Sequence, residues 1–356
     1  MAQEPQPSSP PSPPRESAPS NSWMDTLAKV AERYVPDAIT TAIVLMVILG
    51  AMSILLGNSV TETVDAYYRG LWMLLAFTMQ MTLILTLSLV LAETPLFKNG
   101  VIRLSRLPRT PAQVVIGSVL LSAALAYANW GLALALGPMV AVHFCKQAEK
   151  KGIPVDFIWM MAVLAGAGSV WQFGLSATAP LQMTSEAHFL QEITEAMPLS
   201  STIWSPAALT MVIGFLIVTT IVGIVFMPKN VRPISHFHES NKLAESAISA
   251  ELPPQAEVKH EYSFAQKVER TSLTLIPLWL ALGAWLAYHF FTLNASLDIN
   301  SMVTILLLAS LLFHRTIANF TGALQKVLVS VWPVIVLYHL YAGVAGLIQF
   351  TNVGEA

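Results

Sequence analysis

PAQVVIGSVLLSAALAYANWGLALALGPMVAVHFC, residues 111–145, is too long for one membrane crossing and too short for two. At about 1.5 Å per residue it makes roughly 52 Å of helix, against a hydrocarbon core of about 30 Å per pass. The stretch must double back. Its one polar break is Ala128-Asn129-Trp130-Gly131, and both flanks are basic, with Lys98, Arg103, Arg106 and Arg109 before it and Lys146, Lys150 and Lys151 after it. Cytoplasmic loops carry the Lys/Arg excess, so both ends are expected on the cytoplasmic side, with Asn129 reaching toward the bilayer middle. Backbone groups opened at such a turn are tolerated at depth only where protein buries them or a solute cavity receives them. Two short ordinary helices joined by a polar turn in the far headgroups are the competing reading.

The rest of the chain agrees with a membrane setting. Of its 356 residues 54% are hydrophobic and 11% charged, far below the share of about 25% charged in soluble domains. That composition predicts an all-α, polytopic transmembrane protein. The net charge of −2 gives no support to nucleic-acid binding. Cys145 is the only cysteine, which excludes an intrachain disulfide and a cysteine metal site. His236 and His238 lack further ligands at a defined spacing, so no metal and no cofactor is expected.

Residues 1–22 open with seven prolines and five serines in the first twenty and read as a disordered cytoplasmic tail. Trp23, Leu27, Val30 and Tyr34 fall on one helical face, so 23–36 is expected to lie as an amphipathic helix in the interface, ended by Pro36. Residues 37–227 are read as a first transmembrane repeat containing the hairpin 111–145. Its spans are expected near 37–57, 70–92, 157–180 and 205–226, and a loop carrying Glu62, Asp65 and Arg69 joins the first two. Residues 228–270, mixed in charge and holding Pro253-Pro254, are read as a cytoplasmic linker. Residues 271–356 are read as a second, incomplete repeat.

Within these spans Gln80 interrupts an apolar run, and Thr78, Thr82 and Thr86 share a face, which suits either hydrogen bonding to neighbouring helices or the lining of a cavity. Gly174, Ser176 and Thr178, followed by Pro180, have the composition of the broken helices from which transporters build ligand sites, a frayed helix end at the outer surface being the other reading. Trp72–Gln80 and Trp332–Leu340 both open a long apolar span with Trp and place polar groups about two turns in, and the predicted topology runs them in opposite directions. That is the pattern of an inverted repeat, with a site near the midplane.

On Arg33–Asp37, Gly70–Met81, Thr110–Gln113 and above all Asn129-Trp130-Gly131-Leu132 with Gly137, the chain resembles the short-chain fatty acid transporter family, the acetoacetate and butyrate uptake proteins of bacteria, within the wider ion-transporter superfamily. The resemblance covers about Arg33 to Phe350. It implies a secondary transporter for small monocarboxylates in the bacterial cytoplasmic (inner) membrane, built from inverted repeats that each carry a re-entrant hairpin. Family members continue into a second hairpin and further spans, so the chain is read as truncated, and a non-transporting assembly or partner-binding remnant is the alternative. No enzyme is expected, because His143, His289 and His339 have no carboxylate partner in the predicted spans.

With no charge well inside a predicted span, neutral donors must take the substrate carboxylate, and a half-helix starting near Gly131 offers free N–H groups at its positive end. The expected substrate-binding residues are Asn129, Trp130, Gly131, Gly137, Gln80, Gly174, Ser176 and Thr178. His339 is the candidate for proton coupling, with sodium as the other coupling ion. The bilayer is the evident partner, a homodimer is suggested by superfamily analogy, and the N-terminus is expected to be cytoplasmic.

Overall fold

The computed structural model describes residues 33–184, 194–237 and 263–356. Most of the expected tail and interfacial helix, His238 and the greater part of the linker lie outside the described residues. The described chain folds into fourteen α-helices: α1 (Ala38–Leu55), α2 (Val60–Met73), α3 (Leu75–Ala92), α4 (Pro95–Ser105), α5 (Pro111–Ala128), α6 (Trp130–Lys150), α7 (Phe157–Gly168), α8 (Thr178–Met183), α9 (Pro206–Val225), α10 (Phe264–Glu269), α11 (Ile276–Ala287), α12 (Ile299–His314), α13 (Ile317–Leu328) and α14 (Trp332–Phe350). No strand occurs among the described residues. Among the described residues seven segments are long and apolar enough to cross a membrane, and α12 with α13, bent by 120°, makes an eighth if the pair is taken as one broken span. The protein is all-α and polytopic.

Sequence chemistry sets the helix starts. Thr110 and Ser205 each cap a helix through the side-chain oxygen and are followed by Pro at the first helical position, where the missing N–H costs nothing. Asp298 and Ser301 cap α12 reciprocally. Two segments expected as loops are helices. Residues 60–73 bury Thr63, Ala66 and Gly70 while Glu62, Asp65 and Arg69 face outward, and 95–105 bury Val101 and Ser105.

The described residues divide into two compact units, 33–73 with 339–356, and those between 74 and 338. In the first, α2 packs against the end of α14 through small residues. A Cβ on Gly70 would stand 2.6 Å from the Ala342 carbonyl oxygen, and one on Gly346 would stand 2.6 Å from that of Ala66. Tyr67 lies over Gly343, the Arg69 guanidinium sits 4.1 Å from the Phe350 ring centre, and Ser53 and Thr63 share a buried hydrogen bond of 2.8 Å.

In the second unit the antiparallel pair α5–α6 sits between two apolar clusters. On one side Val114, Val115, Val119, Val140 and Phe144 pack with Met160, Val163 and Leu164 of α7. On the other, Leu132 and Leu136 pack with Met81, Ile84 and Leu87 of α3, Leu181 of α8 and Met302 of α12. Helices α3 and α12 run parallel, as three bonds in rising register show: Gln80 Nε2 to Asn300 Oδ1 (2.8 Å), Ser310 Oγ to the Leu87 carbonyl (3.1 Å) and His314 Nε2 to the Val90 carbonyl (3.0 Å).

A clasp closes the basic end of this unit. Asp156, fully buried, caps α7 through Trp159 N–H (2.8 Å) and receives both the backbone N–H and the Nε of Arg232 at 3.0 Å. Burial pushes the Asp156 carboxyl up, but the Arg232 guanidinium and the N–H groups of Trp159 and Arg232 outweigh it and hold the group below its ordinary value. A lowered folded value contributes stability above the unfolded value of about 4, and that contribution fades as pH falls through the folded one. Asp156→Asn is therefore expected to cost about 2 kcal/mol at pH 7, because Arg232 is half exposed and screened. Thermal midpoints in detergent should differ clearly from wild type at pH 7, and the gap should narrow as pH falls below about 4. A gap that stays unchanged would refute the assignment.

Candidate functional site

A single residue makes the turn between α5 and α6. Asn129 is extended (φ −162°, ψ 129°) and serves both helices. Its N–H closes α5 on the Leu125 carbonyl (2.9 Å). Its side-chain Oδ1 accepts from Gly131 N–H (2.7 Å) and Leu132 N–H (3.2 Å) and from the Ser88 hydroxyl of α3 (2.7 Å). The two backbone donors fix which end of the amide faces the helix, since an inverted amide would oppose N–H to N–H.

The break in the segment after α7 docks on this turn. Residues 169–173 tighten into a 3-10 turn, and helix resumes only at Thr178. Across the gap Leu175 N–H donates to the Tyr127 carbonyl (2.7 Å), and the Ser176 hydroxyl oxygen accepts from Trp130 N–H (2.8 Å). Both glycines are explained by approach. A Cβ on Gly131 would meet Ser88 Cβ at 2.6 Å, and one on Gly174 would meet the Tyr127 carbonyl oxygen at 2.4 Å. Asn129, Trp130, Gly131, Gly174 and Ser176 are thus one constellation, with Asn129 and Ser176 buried.

The expected free helix N-terminus is not there. All four leading N–H groups of α6 are taken: Trp130 by Ser176, Gly131 and Leu132 by Asn129 Oδ1, and Ala133 by the Asn129 carbonyl (3.2 Å). The physical reason is that Asn129 caps its own helix, as asparagine does at such positions. Two side-chain donors stay unsatisfied instead, Asn129 Nδ2 and Trp130 Nε1, both buried. A buried N–H without an acceptor costs about 1–3 kcal/mol, which makes each a ready partner for an anionic oxygen. Beside them the Trp130 and Trp171 rings, 6.4 Å apart and tilted by 49°, form an apolar wall.

Other expected residues fall elsewhere. Thr178 opens α8, with its hydroxyl 3.8 Å from the Met81 sulfur. Gln80 lies eight residues before Ser88, about 12 Å along α3, bonded to Asn300. Gly137 lies six residues past Gly131, about 9 Å along α6, with open space where a Cβ would be. His339 belongs to the first unit, its ring 6.0 Å from Trp72 in an edge arrangement. Thr82 and Thr86 donate back to the carbonyls four residues earlier in α3, each at 2.7 Å, so neither has a hydroxyl proton left for a carboxylate. Residues that spacing alone does not select, Ser88, Tyr127 and Trp171, complete the turn's surroundings. Five residues beyond Ser88, Glu93 accepts from Lys98 (3.0 Å) and Lys326 (2.6 Å). Among the described residues no cluster of three or more His, Cys, Asp or Glu could hold a metal ion.

Comparison with known proteins gives a consistent answer. A family model described as short chain fatty acid transporter matches residues 22–356. Two curated relatives, both provisionally named short-chain fatty acid transporters, are similar over most of the chain. The Haemophilus influenzae protein is 22% identical over 330 residues, which is 90% of this chain and 71% of the relative. The Escherichia coli protein is 23% identical over 329 residues, 92% of this chain and 72% of the relative. No solved structure matches.

Proposed function

Because the chain belongs to the short chain fatty acid transporter family, we propose that it carries small monocarboxylates such as butyrate or acetoacetate across the bacterial cytoplasmic membrane, and that the Asn129 turn receives the carboxylate. The observation that carries this reading is the pair of buried, unsatisfied donors, Asn129 Nδ2 and Trp130 Nε1. One carboxylate has two oxygens to satisfy two N–H groups. The Trp130–Trp171 wall suits a short apolar tail. Ser176 acts indirectly, by holding Trp130.

Depth supports the same reading. From Ser88 the chain runs by way of α4 to the basic base of the hairpin, where Lys151 Nζ donates to the Arg106 (2.5 Å) and Pro108 (2.7 Å) carbonyls. From Pro111 at that base to the turn, α5 is about 27 Å long, short of the roughly 40–45 Å of a bilayer with its headgroups, which suits a turn at Asn129 within the membrane. This favours a re-entrant hairpin over two plain crossings. In this reading the chain is a carrier and not an enzyme, 37–227 and 271–356 are parts of two related repeats, the N-terminus and the base at Arg106–Arg109 are cytoplasmic, a proton or sodium ion is co-transported, and two copies associate.

Purified protein in proteoliposomes should accumulate radiolabelled butyrate, and an imposed sodium or proton gradient should drive the uptake. Unlabelled acetoacetate should compete, whereas the dicarboxylate succinate should not, because no cation at the turn offsets a second charge. Absence of saturable butyrate uptake under either gradient would reject transport in favour of an assembly or partner-binding role.

A further inference from the structure

On the flank of the hairpin an open groove of about 680 Å³ lies between the end of α4 and α5, lined by Leu104, Leu107, Ile116, Leu120 and Phe144, with Arg109 and Gln113 also in its lining. We propose that this groove is a binding site for an anionic phospholipid, whose phosphate sits on Arg109 and whose acyl chain lies along α5.

The groove is cut by the sequence itself. Gln113, Ile116, Gly117 and Leu120 recur at helical spacing on one face of α5. Gly117 leaves that face flat: a Cβ there would lie 3.2 Å from the Phe144 ring, which forms the floor. From Gln113 to Leu121 the trough is about 12 Å long. It is open along its length, and Leu104, Leu107, Ile116 and Leu120 are exposed in it. A membrane protein presents such a face to acyl chains.

Charge selects among the lipids. None of the lining residues is acidic, and the Arg109 guanidinium makes no ion pair among the described residues. Arg103 and Arg106, both exposed, belong to the same end of the hairpin. Basic pockets between transmembrane helices are where anionic headgroups bind, each basic side chain contributing about 1 kcal/mol near the surface. A second copy of this chain fits less well, because the same face would bring Arg109 against its equivalent. The site is separate from the Asn129 turn and does not depend on what that turn carries.

Native mass spectrometry of the full chain, released from detergent after incubation with phosphatidylglycerol or phosphatidylcholine, tests the assignment. Wild type should retain phosphatidylglycerol about fivefold better. Arg109→Gln should bring the two lipids level, and Leu120→Trp, which fills the trough from an exposed position, should lower retention of both. An unchanged preference in Arg109→Gln, or unchanged total retention in Leu120→Trp, would overturn the proposal. So would disulfide-linked dimers of Leu120→Cys formed in phosphatidylglycerol bilayers, which would assign the face to a second copy. Thermal midpoints measured in parallel identify variants that are simply unfolded, and for those Arg109→Met and Ile116→Trp replace the charge and apolar probes.

Discussion

Asn129→Asp is expected to fold and to lose butyrate uptake by a hundredfold or more. The carboxylate that replaces the amide keeps an acceptor for Gly131 N–H, Leu132 N–H and the Ser88 hydroxyl, and aspartate caps a helix N-terminus as well as asparagine. What disappears is Nδ2, the buried donor without a partner. In its place stands an oxygen of the same sign as the substrate, and a loss of about 3 kcal/mol in binding is a factor of roughly a hundred. Asn129→Ala is the blunter change. It removes three bonds at once and leaves buried donors without acceptors, each costing about 1–3 kcal/mol, so lost stability would mask lost binding. The pair therefore separates scaffold from ligand: Asp keeps the three bonds and should lose less of the thermal midpoint than Ala, the remaining loss coming from its buried charge, yet it should lose uptake as fully. Butyrate uptake by Asn129→Asp at the wild-type rate would remove Asn129 from the substrate site.

That experiment turns on a feature the sequence shows only in part. The hairpin is legible from arithmetic, since 35 largely apolar residues broken at Asn129 are too long for one crossing and must fold back. The break at Gly174–Thr178 is only half legible, because glycine and hydroxyls before Pro180 suit a broken helix and a frayed helix end alike. Which atoms remain available at the turn is not legible. Composition places Asn129 beside a helix start, but that its Oδ1 is taken by Gly131 and Leu132 N–H and approached by Ser88, 41 residues away, is not written there, since Ser88 also bonds back to the Ile84 carbonyl of its own helix, as Thr82 and Thr86 do to theirs. The helices at 60–73 and 95–105 were hidden for a related reason. Glu62, Asp65 and Arg69 resemble a loop if counted, and they are a helix face if spaced, because 62, 65 and 69 alternate with the buried 63, 66 and 70.

Gly174→Ala should be the most damaging single methyl group in the second unit. The backbone at Gly174 is extended (φ −95°, ψ 178°), a conformation open to any residue, so the requirement for glycine is one of space. An added Cβ would lie 2.4 Å from the Tyr127 carbonyl oxygen and 2.8 Å from its Cα, and both are backbone atoms that no rotamer change can move. Relief requires the broken segment to lift off the hairpin. That withdraws Leu175 N–H from the Tyr127 carbonyl and the Ser176 hydroxyl from Trp130 N–H. Overpacking costs about 1–3 kcal/mol and an orphaned buried donor about as much again, so a loss of about 3 kcal/mol is expected in chemical unfolding from detergent, together with loss of uptake as Trp130 swings free. Gly168→Ala supplies the contrast. It lies at the end of α7 with nothing within 4 Å of its would-be Cβ, and replacing a helical glycine there should be neutral or stabilise by up to about 1 kcal/mol. Were the two variants equally stable, the contact between the broken segment and the hairpin would not exist as described, and Ser176 would lose its hold on Trp130.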